Sequence, residues 1–255
     1  MKSNTERPEK AYKNIDFLNS RDARILRILA EYLHPKAKFE TQRLQNTIVV
    51  FGSARAPAPE DVEKIKVANT NDPRLKLAGY YEQTVELTNR LTQWSLGLDE
   101  EEQIYVICTG AGPGLMMAAN RGAHEAGGKN AGLAISILNE NVPNPYVTPE
   151  LHFEFHYFFT RKFWFSYFAK ALIIMPGGFG TLDELFEILT LIQTKKINKP
   201  LPIVLFGKEF WNKLINFETL VEYGTISPED LNLFHLSDQV EDAFQFITSK
   251  LKVEQ

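Results

Sequence analysis

Residues 171–175 form an apolar run that passes without interruption into PGGFGTLDE, Pro176 through Glu184, and then into a segment, 182–194, whose apolar positions recur at helical spacing. Strand, glycine turn and helix in that order organise the whole chain. Gly177, Gly178 and Gly180 permit positive φ and close approach of a ligand to bare backbone, and the amides around Thr181 sit at a helix N-terminus where partial positive charge collects. A phosphate fits such a turn. Glu184, one helical turn in, goes beyond a phosphate cradle, because it sets a carboxylate within reach of a sugar attached to that phosphate. The alternative is structural: the glycines serve a tight turn and a glutamate in the first helical turn complements the macrodipole.

The same unit recurs along the chain. Residues 1–14 are polar and mixed in charge and read as a tail. Ser20 is placed to cap a helix that ends before Pro35, and residues 36–46 link it to a strand, Thr47–Phe51, whose continuous β-branched run predicts burial on both faces. That strand ends in GSAR. Gly52, Ser53 and Arg55 there can hold phosphate or sugar, or form a generic polar loop. A Pro-rich polar segment, 56–74, precedes a crossover helix over 75–94. A second strand, 104–108, runs into a second phosphate-sized turn with Gly110, Gly112 and Gly114, followed by a helix over 115–126 that Gly127 and Gly128 stop. Its G-x-G-x-G spacing departs from the G-x-G-x-x-G of dinucleotide-binding turns, so an NAD-dependent enzyme is the weaker reading.

A third strand, 132–137, leads into a long irregular stretch to about Tyr157. His152, Glu154 and His156 alternate within it, which on a strand puts them on one face; they lack metal-ligand spacing, and no metal is expected. In the aromatic segment 158–170, Thr160 can cap a helix, and Arg161 and Lys162 precede the strand that delivers the glycine turn. They either snorkel from a buried helix or meet an anionic ligand, a task that suits the forked guanidinium of Arg161. Surplus aromatic surface there suits a subunit interface. A strand over 201–206, a helix over 209–221, a Ser227–Pro228 turn start, an edge strand within 231–236 and a last helix over 238–251 complete the alternation. The pattern predicts an α/β fold, a doubly wound parallel sheet in one domain with appendages.

A net charge of −4 argues against binding a nucleic-acid polymer or an anionic membrane surface, so any anion site is local. The single cysteine, Cys108, lies in an apolar run and excludes an intrachain disulfide; with no signal segment or run of transmembrane length, a cytoplasmic protein is expected.

With these residues in view, the chain resembles the LOG ("lonely guy") family of nucleoside 5′-monophosphate phosphoribohydrolases, long labelled lysine decarboxylase-like. The resemblance runs from about Thr47 to about Phe210. The family motif PGGxGTxxE is met by Pro176, Gly177, Gly178, Gly180, Thr181 and Glu184, the upstream Arg-Lys pair by Arg161 and Lys162, and the glycine-rich turn by Gly110 to Gly114 and the following LMMAANRGA. The resemblance implies a Rossmann-like homodimer or higher even oligomer that cleaves the N-glycosidic bond of a nucleoside monophosphate such as AMP or a cytokinin riboside monophosphate. It implies Glu184 and Arg161 as essential residues, and no cofactor. On it, residues 1–46 are an N-terminal tail and helix and 47–255 the hydrolase domain. The N-terminal helix, the 56–74 segment, the C-terminal extension and Phe165, where many relatives carry Met, depart from the shortest members. A nucleotide-sensing module without turnover would use the same cradle.

Overall fold

Each central strand divides its apolar side chains between two cores. In β1 (Thr47–Phe51), Ile48 and Val50 face one layer of helices while Val49 and Phe51 face the other, the period-two alternation that burial on both faces requires. The computed structural model describes residues 7–99, 103–136 and 143–251. Before β1 lie α1 (Ile15–Asn19) and α2 (Arg24–Thr41). After it come α3 (Pro59–Ala68), α4 (Ala78–Leu96), β2 (Val106–Thr109), α5 (Leu115–Glu125), β3 (Asn130–Ile135) and β4 (His152–Phe155). The second half runs α6 (Phe158–Phe168), β5 (Ala169–Ile174), α7 (Phe179–Gln193), β6 (Ile203–Phe206), α8 (Lys208–Leu214), α9 (Phe217–Glu222), β7 (His235–Ser237) and α10 (Val240–Leu251).

The strands form one seven-stranded sheet in the order β4-β3-β2-β1-β5-β6-β7, and every neighbouring pair is parallel. This is the single doubly wound α/β domain that the alternation of elements predicts. One core joins Phe39 of α2, Trp164 and Phe165 of α6 and Leu185 and Ile188 of α7 to the sheet; the other joins Leu87 and Leu91 of α4, Leu115 of α5 and Ile247 of α10. The chain leaves β1 toward β2 on one side and returns through β5 on the other. The order therefore reverses between β1 and β5, which opens a crevice at their carboxyl ends.

Several local expectations need correction. The first long helix does not stop before Pro35 but runs through it to Thr41, because Pro35 and Phe39 are buried in the core and the carbonyl that Pro35 leaves without a partner is taken up elsewhere. Ser20 follows α1 instead of capping α2. The 56–74 segment contains α3, started by Pro59 at its first turn with Glu60 and Asp61 behind it. The helix expected over 209–221 breaks in two at Ile215 and Asn216, and the Asn216 side chain accepts from Thr219 N–H to restart it. Ser227 forms a capping box with Asp230 over a 3-10 turn, Pro228–Leu233, so the edge strand is confined to His235–Ser237. The third strand spans Asn130–Ile135; Ile137, at the end of the expected range, and Met1 to Glu6 of the expected tail lie outside the described residues. The irregular stretch after it contains β4, a parallel edge strand.

Candidate functional site

Three strand ends meet at the reversal point and are tied together by backbone hydrogen bonds. Ser53 N–H, after β1, donates to the Pro176 carbonyl after β5 at 3.0 Å, and the Ser53 carbonyl accepts from Leu115 N–H, at the start of α5, at 3.0 Å. Such close layering leaves no room for side chains. A Cβ on Gly52 would lie 2.9 Å from Leu115 Cβ, one on Gly114 2.4 Å from the Ser53 carbonyl oxygen, and one on Gly177 2.1 Å from Thr181 Oγ1. Gly114 also sits at φ 67°, in the left-handed region. The glycines of PGGFGTLDE work differently from the expectation, since none of Gly177, Gly178 and Gly180 has positive φ. Gly177 admits Thr181, whereas a Cβ on Gly178 or Gly180 would meet nothing within 4 Å, so both border open space.

That space is a cavity of about 1050 Å³. Gly52, Ser53, Gly110, Gly112, Gly177, Gly178, Gly180, Thr181, Arg161 and Glu184 all line it, so the structure brings together residues spread over more than half of the chain. Arg55 lines it too. The first intrahelical bond of α7 runs from Leu182 N–H to the Gly178 carbonyl at 3.0 Å, so the amides of Phe179, Gly180 and Thr181 precede the helical ladder at the cavity wall. Gly114 and Pro176 stand behind the wall and act on the turns' shape. Lys162 is not in the wall: its Nζ pairs with Asp183 Oδ2 and Glu187 Oε2, each at 2.8 Å.

Glu184 is 4% exposed. It lies beyond the first turn of α7, which contains no acidic residue, so the macrodipole role loses its geometry. Burial pushes its carboxyl up from 4.5 to about 7, against the pull of Lys162 and Arg161 in the other direction. Arg161 is held on α6 with its guanidinium 5.1 Å from the Phe158 ring and 5.6 Å from the Phe165 ring, and burial lowers its pKa from the ordinary value. Its Nη2 stands 3.7 Å from Glu184 Oε1, an ion pair too long for a hydrogen bond. Glu184 Oε1 and Arg161 Nε are both buried without a hydrogen-bond partner. Buried polar atoms left in this state are costly, and a polar ligand entering between them would satisfy both.

Thr160 does not cap α6: the cap position is Tyr157, and the Thr160 hydroxyl, buried, lies within hydrogen-bond distance of the Tyr157 carbonyl at 2.7 Å and of Glu31 at 2.6 Å. His152 and Glu154 share the exposed face of β4, as their alternation predicts, and line the far end of the cavity, where Glu154 Oε1 accepts from Ser136 Oγ at 2.7 Å. Among the described residues no group of three His, Cys, Asp or Glu could hold a metal ion. Burial pushes the Cys108 thiol up, which keeps it an inert core residue.

One supporting constellation is missed by the sequence reading. Asn120, fully buried, accepts from Thr109 Oγ1 at 2.6 Å and Asn144 Nδ2 at 3.0 Å and donates to Asn130 Oδ1 at 2.8 Å. Thr109 Oγ1 in turn accepts from Ala111 N–H at 2.9 Å, which holds Ala111 at φ 57°. This network fixes the Gly110 turn against the segment carrying Asn144. A polar residue in a helix reading LMMAANRGA is the signal that points to it, since such a residue on a core face needs partners.

Comparison with known proteins places the chain in a family and a fold. The family model described as possible lysine decarboxylase matches residues 116–247. The probable cytokinin riboside 5′-monophosphate phosphoribohydrolase LOG4 of Oryza sativa subsp. japonica is 28% identical over 154 residues, which cover 58% of this chain and 64% of that protein. Cytokinin riboside 5′-monophosphate phosphoribohydrolase LOG7 of Arabidopsis thaliana is 28% identical over 193 residues, 69% of this chain and 82% of that protein. The match to the rice protein thus spans just under two thirds of its length. The X-ray structure of TM1055 superposes with a TM-score of 0.53 at 18% identity, over 80% of this chain and 99% of that one, and shows the same fold. Among the described residues no helix is long and apolar enough to cross a membrane.

Proposed function

The chain belongs to the family described as possible lysine decarboxylase, the LOG family, and from that premise we propose that it hydrolyses the N-glycosidic bond of a nucleoside 5′-monophosphate, releasing free base and ribose 5-phosphate. The observation that carries the proposal is the buried Arg161–Glu184 pair, 3.7 Å apart with Arg161 Nε and Glu184 Oε1 left without hydrogen-bond partners, in a cavity whose wall is made of glycine turns at strand ends. In this reading the 5′-phosphate lies against the amides of Phe179, Gly180 and Thr181, and the ribose reaches inward to Glu184. Departure of the base leaves an oxocarbenium-like sugar, which a carboxylate stabilises. With its carboxyl at about 7, Glu184 also takes the proton of an attacking water readily near neutral pH. Arg161 binds ribose or phosphate oxygens, and substrate entering between the pair supplies the hydrogen bonds that Arg161 Nε and Glu184 Oε1 lack in the free protein.

The decarboxylase label of the family is not adopted. Amino-acid decarboxylation commonly relies on a Schiff-base lysine with pyridoxal phosphate, and none of the residues lining the cavity is a lysine, while Lys162 is engaged by two carboxylates. The proposal includes an adenine-type or cytokinin-type base, a cytoplasmic enzyme acting without metal or redox cofactor, and a homodimer or higher even oligomer. The exposed aromatics Phe158, Phe159, Phe163 and Tyr167 on one helix support the oligomer, which light scattering at micromolar concentration tests. Incubation with a panel of nucleoside monophosphates and the matching nucleosides, with free base and ribose 5-phosphate quantified, tests the reaction. AMP is expected to be cleaved and adenosine far less; equal rates would sink the phosphate cradle.

A further inference from the structure

Glu31 stands on α2, remote in sequence from the cavity wall, and yet its carboxylate closes the start of α6. Oε1 accepts from His156 N–H at 2.8 Å, and Oε2 accepts from Tyr157 N–H at 3.2 Å and from the Thr160 hydroxyl at 2.6 Å. No side chain at the cap position itself caps this helix. A carboxylate from another helix therefore pairs the N–H of the cap residue Tyr157, one of the donors a helix start leaves unpaired, and brings negative charge to that start, as the glutamate of a capping box does. Pro35 contributes a second hold. Lacking an N–H, it leaves the carbonyl four residues before it, that of Glu31, free of the helical ladder, and that carbonyl accepts from Trp164 Nε1 at 3.3 Å. Tyr32 stacks on Trp164 with ring centroids 5.2 Å apart. One residue of α2 thus grips α6 at Thr160 and at Trp164, and Arg161 lies between the two grips.

We propose that Glu31 is a positioning residue for Arg161: by capping α6 from α2 it sets the first turn of that helix, and through it the guanidinium that faces Glu184. The inference deepens the hydrolase reading and rests on the role given there to Arg161. It also assigns a task to the N-terminal helix. The first intrahelical bond of α6, Arg161 N–H to the Tyr157 carbonyl, is long at 3.4 Å, so the Glu31 bonds to Tyr157 and Thr160 hold the turn at the point where its own ladder is weakest.

The test uses the full chain and three variants, Glu31→Ala, Glu31→Gln and Thr160→Val, each also made in an Arg161→Lys background. Hydrogen exchange of the amides of residues 156–161 is expected to quicken about tenfold in Glu31→Ala and less in Glu31→Gln, which keeps one acceptor oxygen, with exchange in β5 and α7 unchanged. kcat/KM for AMP is expected to fall about tenfold in Glu31→Ala, but by less than about twofold when the same change is added to Arg161→Lys. Thr160→Val removes only the hydroxyl donor and is expected to repeat the effect in smaller degree, so the inference stays testable should Glu31→Ala fail to fold. Unchanged exchange at 156–161, or an equal fall in both backgrounds, overturns it. Should the wild-type chain cleave no nucleotide, the hydrolase reading falls alone. Exchange and the Arg161 Nε–H resonance then still decide whether Glu31 fixes the side chain.

Discussion

Replacing Glu184 by glutamine keeps the side chain's size and removes its titration, and the consequence for stability follows from the burial of this one group. In the folded protein the carboxyl holds its proton up to about pH 7, whereas its ordinary value is 4.5. Between those two values the native state binds a proton that the unfolded chain has released. The wild-type fold therefore loses stability as pH rises through that window, and the loss is complete above pH 7. A shift of this size is worth about 3 kcal/mol. Other groups titrate alike in wild type and variant, so the difference between them isolates Glu184. Urea denaturation of both proteins in phosphate-free buffer at pH 5 and pH 8 is the assay. The stability of Glu184→Gln relative to wild type is expected to improve by about 3 kcal/mol from the lower to the higher pH, which for a chain of this size is roughly 5–10 °C in Tm. At pH 5 the variant is expected to be the equal of wild type or slightly weaker, since Arg161 loses an anionic neighbour only where that neighbour is charged. A difference that does not change with pH would refute the argument that burial holds the proton on Glu184 and that its ionisation costs the fold stability.

Two further outcomes follow from the same contacts. Gly177→Ala puts a methyl group on Thr181 Oγ1, where a Cβ has 2.1 Å, and is expected to cost about 1–3 kcal/mol in urea denaturation and to weaken binding of ribose 5-phosphate; Gly178→Ala, which meets nothing within 4 Å, should cost far less stability. Lys162→Met removes the largest influence that lowers the Glu184 pKa, so the acid limb of the kcat/KM profile is expected to move to higher pH, and an unmoved limb would show that Lys162 and Glu184 are not coupled.

Much of this architecture is legible in the chain itself, and where it is not the reason is specific. Strand β1 and the glycine turns after β1, β2 and β5 are local features: a β-branched run and a glycine-rich turn announce themselves within a few residues. The path of α2 through Pro35 is not local, because the proline is tolerated only where Trp164, in another helix, donates to the freed Glu31 carbonyl. The break between α8 and α9 is set by a single capping asparagine within an otherwise continuous helical pattern. At the site, the spacing of Arg161 and Lys162 does not tell which of the two faces the cavity; the carboxylates of Asp183 and Glu187 one turn apart on α7 draw Lys162 outward and leave Arg161 inside. For Gly177 the sequence suggests freedom of φ, and the requirement is instead contact with Thr181, a side chain whose approach no local pattern records.

The central claim is that the buried pair Arg161 and Glu184 cleaves the bond between base and ribose. Single-turnover incubation of AMP with excess folded enzyme, with adenine and ribose 5-phosphate quantified together and affinity for ribose 5-phosphate measured alongside, tests it most directly. Equal amounts of the two products are expected from wild type, and Glu184→Gln is expected to release them on the order of 10²–10⁴-fold more slowly with binding retained. Absence of both products, or undiminished release by Glu184→Gln with intact binding, would contradict the account.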